Sequence, residues 1–191
     1  MKNIIPQNPK PLNKLGSGRG RMTKIVVVQG DIAAQKVDAI VNAANKTLLG
    51  GGGVDGAIHR AAGPKLLKEC KTLGGCKTGE AKITKGHNLP AKYVIHTVGP
   101  IYGKENGKEA ELLSNCYKNS LLLAKQNGIK TIAFSAISTG VYGYPKEEAV
   151  KIALDTLQAF IKNDNYFNEI RLVLHSEEDK ELCDKYLEGG E

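Results

Sequence analysis

The stretch that most limits how this 191-residue chain can fold is Gly50 to Gly53, four glycines in a row between the apolar run Ala39-Ile40-Val41 and Val54-Asp55-Gly56. Glycine loses more backbone freedom on folding than any other residue, so such a run weakens a helix or strand that contains it. Placed between a strand and a helix it has another use. It leaves main-chain N–H groups bare at a helix start, where a phosphate or a sugar can approach without meeting a Cβ. Surface linkers are also rich in glycine. Here the carboxamides of Asn42 and Asn45 on one side and the lone carboxylate of Asp55 on the other favour a ligand loop.

A chain of this length holds one domain with a sizeable core. Its net charge of +7 would suit a nucleic-acid partner, but Lys2, Lys10, Lys14, Arg19, Arg21 and Lys24 meet no acid before Asp31, which leaves the rest nearly neutral. Residues 1–21 combine these charges with Pro6, Pro9, Pro11 and Gly16-Ser17-Gly18-Arg19-Gly20. They read as a basic tail or linker, either inert or an arm making weak RNA contact, and the folded domain is expected over residues 22–191. Cys70, Cys76, Cys116 and Cys183 form no C-x-x-C pair and lie near no zinc-finger histidines, so they read as reduced thiols. No N-terminal apolar leader and no membrane-length stretch occurs, so the expected setting is the cytoplasm, away from membranes.

From Lys24 onward, strand and helix patterns alternate. Strands are expected at Ile25 to Val28, Val37 to Val41, Thr78 to Lys85, Tyr93 to Val98, Ile129 to Ile137 and Glu169 to His175. Helices are expected at Gly53 to Ala62, Pro64 to Lys71, Glu109 to Gln126, Pro145 to Lys162 and from Ser176 to near Gly189. Such alternation predicts an α/β fold with a largely parallel sheet covered on both faces, and ligands of such sheets sit beyond the strand ends.

Gly51, Gly53 and Gly56 spell G-x-G-x-x-G, but Leu48 and Leu49 separate it from the strand, and no Gly-Lys-Ser/Thr follows. Neither a dinucleotide fingerprint nor a triphosphate loop fits. A second loop, Ser138-Thr-Gly-Val-Tyr-Gly-Tyr-Pro-Lys, also joins a strand to a helix and aims N–H groups at one spot. Two such loops in one small domain predict a cleft for a diphosphate.

Gly30-Asp31-Ile32, Val41-Asn42-Ala43-Ala44-Asn45, Gly50 through His59, Ile95-His-Thr-Val-Gly-Pro100 and Ile137 through Pro145 together resemble a macrodomain of the MacroD type. The resemblance runs from about Lys24 to the C-terminus. It implies a three-layer α/β/α fold with a mixed, largely parallel central sheet that binds ADP-ribose. For this branch it also implies metal-independent hydrolysis, with no cofactor, of ADP-ribosyl esters: ADP-ribosylated glutamate or aspartate on proteins, and O-acetyl-ADP-ribose. A non-catalytic ADP-ribose reader is the alternative.

Position by position, the resemblance assigns Asp31 and the main chain of Ile32 to adenine, and Asn45 to the distal ribose. Gly51, Gly52, Gly53 and Val54 match the loop at that ribose and its phosphate. Ser138, Thr139, Gly140, Val141 and Tyr142 match the diphosphate loop, with Tyr142 against the distal ribose. Asp55 and Asn45 are the catalytic candidates: Asp55 either orients a water or takes its proton, or it only positions the sugar while the substrate's own phosphate holds the water. From the residues alone, Asp31 also reads as a helix N-cap, Asn42 as a side chain that ties turn backbone, and His96 as a satisfied core histidine. His59, one helical turn after Asp55, either packs or adjusts the carboxylate, with packing favoured. Ser135-Ala136 departs from the proline or cysteine many family members have there.

Overall fold

The computed structural model describes residues 22–189. The basic stretch 1–21, with its expected RNA contact, lies outside them. Six strands form one sheet: β1 (Lys24–Gln29), β2 (Ala39–Ala44), β3 (Ala81–Lys85), β4 (Tyr93–Val98), β5 (Thr131–Ser135) and β6 (Glu169–Leu174), in the order β1-β6-β5-β2-β4-β3. Only β3 runs antiparallel to its neighbour, β4. The sheet is therefore mixed and largely parallel, as expected.

The helices are α1 (Gly53–Ala62), α2 (Pro64–Lys71), α3 (Glu109–Gln126), α4 (Lys146–Asn163) and α5 (Glu177–Glu188), with a 3-10 turn at Ile32–Ala34. Strand parity sorts the core in two. Ala39 and Val41 of β2 and Ile95 of β4 face one way, packing with Leu113, Tyr117 and Leu121 of α3, Leu154 and Leu157 of α4 and Cys183 of α5. Ile40 and Ala44 of β2 and Val94 and Val98 of β4 face the other way, against Ile58 and Ala62 of α1 and Leu66 and Cys70 of α2. Three layers result. Gly63 separates α1 from α2, and Pro64 then opens α2 where its missing N–H costs nothing.

Three of the expected strands have moved boundaries that matter for the site. The second strand starts at Ala39 rather than Val37 and continues through Asn42 to Ala44, so Asn42 belongs to a strand rather than a turn. The third begins at Ala81, because Thr78 makes only an isolated parallel bridge to Val98. The fifth ends at Ser135, whose hydroxyl donates to Val41 O (2.8 Å) across to β2, since the chain then leaves the sheet toward Ser138 at φ +65°.

The four thiols are free and buried. Burial pushes Cys70 and Cys116 up to about 11 and Cys183 to about 12, and raises Cys76 as well. Among the described residues no helix is long and apolar enough to cross a membrane.

Just before β2, one carboxylate ties the start of that strand to the start of β5. Asp38 Oδ2 accepts from the N–H groups of Lys130 and Thr131 (both 3.0 Å), while its own N–H donates to Thr131 Oγ1 (2.8 Å). Partial burial opposes its ionisation, but these bonds outweigh burial and lower its pKa. Asp38→Ala, which strips two main-chain donors of their acceptor, should reduce unfolding free energy by about 1–3 kcal/mol in urea titration.

Candidate functional site

Because β5 and β2 are parallel neighbours, the loops that follow them emerge side by side at the same edge of the sheet. These are the two glycine-containing loops of the sequence. Their side-by-side position is a consequence of the β5-β2 crossover, which no local pattern predicts.

The first loop is shaped by Asn45. Its Oδ1 accepts from Thr47 Oγ1 (2.7 Å) and Leu48 N (3.1 Å), and its Nδ2 donates to Gly50 O (2.9 Å). Leu48 turns at φ +60° yet buries its side chain fully in the α1/α2 core, which anchors the loop from below. Gly50 and Gly53 then adopt positive φ (+85° and +57°), where side chains are strained. The first bond of α1 runs from Gly56 N to Gly52 O (3.2 Å). Among the described residues no hydrogen bond leaves the N–H groups from Gly51 to Asp55. At a helix N-terminus such groups favour negative charge.

Turn-tying, expected of Asn42, therefore falls to Asn45, and Asn42 does something else. It sits on the face of β2 that looks at α1, and its Nδ2 donates to Asp55 Oδ1 (2.7 Å). The same Nδ2 lies 3.2 Å from His96 Nδ1, directly across the β2–β4 register. Asp55, in the first turn of α1, is buried (6% exposed). His59 Nε2 comes within 3.5 Å of Asp55 Oδ1, and the His59 ring also lies against Gly50, so it both packs and touches the carboxylate. A Cβ on Gly51 would stand 3.3 Å from Asp55 Oδ2 and 3.4 Å from Asn45 Nδ2. The second carboxylate oxygen and the free amide edge thus converge where glycine has left room.

His96 is a satisfied core histidine, as expected, with Nε2 2.9 Å from Thr84 Oγ1 and 3.8 Å from Cys70 Sγ. Burial, with a smaller push from His59, holds its imidazole down to about 3, so it is neutral in the folded protein.

The second loop is closed by Tyr144 N to Ser138 O (2.9 Å) and Gly143 N to Gly140 O (3.0 Å). No hydrogen bond among the described residues leaves the N–H groups from Ser138 to Tyr142. Gly99, just past β4, gives this loop its seat: a Cβ there would collide with the Ser138 side chain and come 2.7 Å from Ile137 Cγ2. Tyr102 N donates to Tyr142 O (2.9 Å), and the Tyr102 ring packs edge-on against Tyr144 (5.0 Å). Val141 is 99% exposed at the loop tip. Asp31 caps the 3-10 turn after β1, accepting from Ala33 N (2.8 Å), with Ile32 buried beside it. A cavity of about 630 Å³ lined by Lys46, Lys77, Lys82, Glu80 and Glu105 includes none of Gly50 to Asp55 or Ser138 to Tyr142 and carries both signs of charge. The case for an anion therefore rests on main-chain N–H groups.

The macro domain family model matches residues 41–153, which span both loops and the strands between them. The chain is a macro domain. It is 55% identical over 166 residues to a macro domain-containing protein of Chlorobaculum tepidum, covering 87% of this chain and 96% of that one. It is 56% identical over 164 residues to the ADP-ribose glycohydrolase MACROD2 of Homo sapiens, covering 85% of this chain but 39% of that longer protein. The Oceanobacillus iheyensis macrodomain, solved with ADP, superposes with a TM-score of 0.88 at 42% identity, covering 95% of this chain and 96% of that one.

In this macro domain sequence reasoning missed the bond from Asn42 to Asp55, the seat at Gly99 and the brace at Tyr102. The alternation of β2 and β4 puts Asn42 and His96 on one face, a signal available once the strands are aligned. Gly99 and Tyr102 had no such signal, since they act on a loop almost forty residues away.

Neutral His96 has a consequence for stability. Its folded pKa lies below the ordinary 6.5, so between pH 6.5 and about 3 the unfolded chain binds a proton that the folded chain refuses. Stability from this group is present above 6.5 and declines by roughly 1.4 kcal/mol per pH unit as pH falls. Urea unfolding at pH 7 and pH 5 should show the wild type losing about 2 kcal/mol more than His96→Gln. Equal losses would show that His96 is not held neutral.

Proposed function

We propose that this macro domain binds ADP-ribose along the C-terminal edge of its sheet and hydrolyses esters that link ADP-ribose to a glutamate or aspartate side chain, or to acetate. One observation carries the reading: two neighbouring sets of unengaged main-chain N–H groups flank a buried carboxylate that is held in place by Asn42. The N–H sets suit a pyrophosphate. The carboxylate suits a water at the sugar beyond it. A structural relative solved with ADP and a sequence relative named as an ADP-ribose glycohydrolase support the same ligand class.

In this reading the adenine lies at the β1 end, where the Asp31 carboxylate accepts from its amino group and the main chain of Ile32 completes the edge. Ser138 through Tyr142 and Gly51 through Val54 take the phosphates between them. Asn45 has spent Oδ1 twice and one Nδ2 hydrogen on its own loop, which leaves one Nδ2 hydrogen for a hydroxyl of the distal ribose. Tyr142 lies against that ribose. Asp55 Oδ2, pointing to the space at Gly51, orients a water together with the substrate's own phosphate. Water adds across the ester bond, and the products are a free carboxylic acid and a sugar hydroxyl. No step calls on a metal or cofactor.

The reading separates binding from turnover. Asp55→Ala should lower ester hydrolysis by about a hundredfold or more while ADP-ribose affinity in calorimetry stays close to wild type. Asp31→Ala should weaken ADP-ribose by about tenfold, the worth of one charge-assisted hydrogen bond. The deciding assay follows release of ADP-ribose from a glutamate-modified protein and of acetate from O-acetyl-ADP-ribose. Tight ADP-ribose binding without any turnover by the wild type would make this macro domain a reader.

A further inference from the structure

Three adjacent strands carry polar residues on the face beneath α1 and α2: Asn42 on β2, His96 on β4 and Thr84 on β3. All three are buried, at 0%, 0% and 2% exposure. We infer that Thr84 and His96 are positioning residues, which fix the placement of one imidazole proton and thereby lock the Asn42 carboxamide with its donor edge toward Asp55.

A carboxylate oxygen accepts, and the Asn42 atom that donates to Asp55 Oδ1 at 2.7 Å is Nδ2. The second hydrogen on that nitrogen falls toward His96 Nδ1 at 3.2 Å, which must then be the ring's unprotonated nitrogen. The ring proton therefore sits on Nε2 and donates to Thr84 Oγ1 at 2.9 Å, with the protonated Cys70 thiol 3.8 Å away. Asn42 Oδ1 is buried with no partner among the described residues. The amide orientation is thus dictated by the two acceptors at Nδ2 and not by satisfaction at both ends, and it can be reversed from behind. Removing the Thr84 acceptor leaves the buried Nε2–H only the weak Cys70 sulfur at 3.8 Å, which favours transfer of the proton to Nδ1. A proton there faces the Asn42 donor, so the carboxamide turns over and sets Oδ1 against Asp55. An oxygen in that position disfavours the charged carboxylate. Among the described residues the other titratable groups that face Asp55 are His59 on α1 at 3.5 Å and Cys70 on α2; His59 keeps the place it already has and Cys70 is a neutral thiol, so neither replaces the lost donor.

This inference rests on the ester-hydrolase reading above, and its test keeps the two apart. Thr84→Val removes the hydroxyl at nearly unchanged shape, and Thr84→Ser returns it. Thr84→Val should lower kcat for release of ADP-ribose from a glutamate-modified protein by about tenfold and move the acid limb of the pH–rate profile up by about one unit. Calorimetric affinity for ADP-ribose should stay within about twofold, and Thr84→Ser should recover kcat and profile together. Wild-type kcat and profile in a folded Thr84→Val protein would overturn the proposal. Independently, nitrogen NMR of wild type with ¹⁵N-labelled histidine should show His96 protonated at Nε2 and bare at Nδ1. The opposite tautomer overturns it whatever the variants do, including the case where Thr84→Val fails to fold. A wild type that binds ADP-ribose and hydrolyses no ester strikes the reading above instead, and the NMR result still decides where the proton lies.

Discussion

The bond from Asn42 Nδ2 to Asp55 Oδ1 is the contact on which the site depends. A carboxylate so deeply buried pays a large desolvation cost unless donors surround it. The first turn of α1 supplies a favourable field, and Asn42 supplies the directed donor. That donor is available only because β2 continues past its apolar residues and carries a polar one on its inner face, under the helix that Asp55 begins. The sheet and the first loop thus meet at a single side-chain pair.

The two loops work through main chain instead, and each has a brace from elsewhere in the chain. Leu48 pins the first into the α1/α2 core, and Asn45 closes it with three bonds. The second rests on Gly99 and is held at its tip by Tyr102, which arrives from the segment before α3. Positive φ at Ser138, a residue type rarely found there, is sustained by the bond from Tyr144 N to Ser138 O. Rigidity in these loops comes from their supports, which matters for any group that must present N–H donors in a fixed array.

Much of this was readable from residue order. The alternation of strand and helix patterns, the helix starts at Gly53 and Pro64 and the long amphipathic α3 all follow from local rules, and the resemblance of five separated motifs pointed to the family. What local rules could not supply was pairing. Asn42 shows this well: it follows the apolar run directly and reads as a turn residue, and only the register of β2 against β4 reveals that it turns inward to Asp55 and His96. Thr84 was invisible for the same reason, because its meaning depends on an antiparallel edge strand whose start lay three residues later than its alternating pattern implied.

The cysteines have a practical corollary. All four thiols are enclosed and hold their protons well above neutral pH, so the thiolate that reacts with an alkylating reagent is scarce in the native protein. Three of them sit on different helices and the fourth on the connection between α2 and β3. Modification at each therefore records when its own layer opens, giving the molecule a set of internal clocks for local unfolding without any added label.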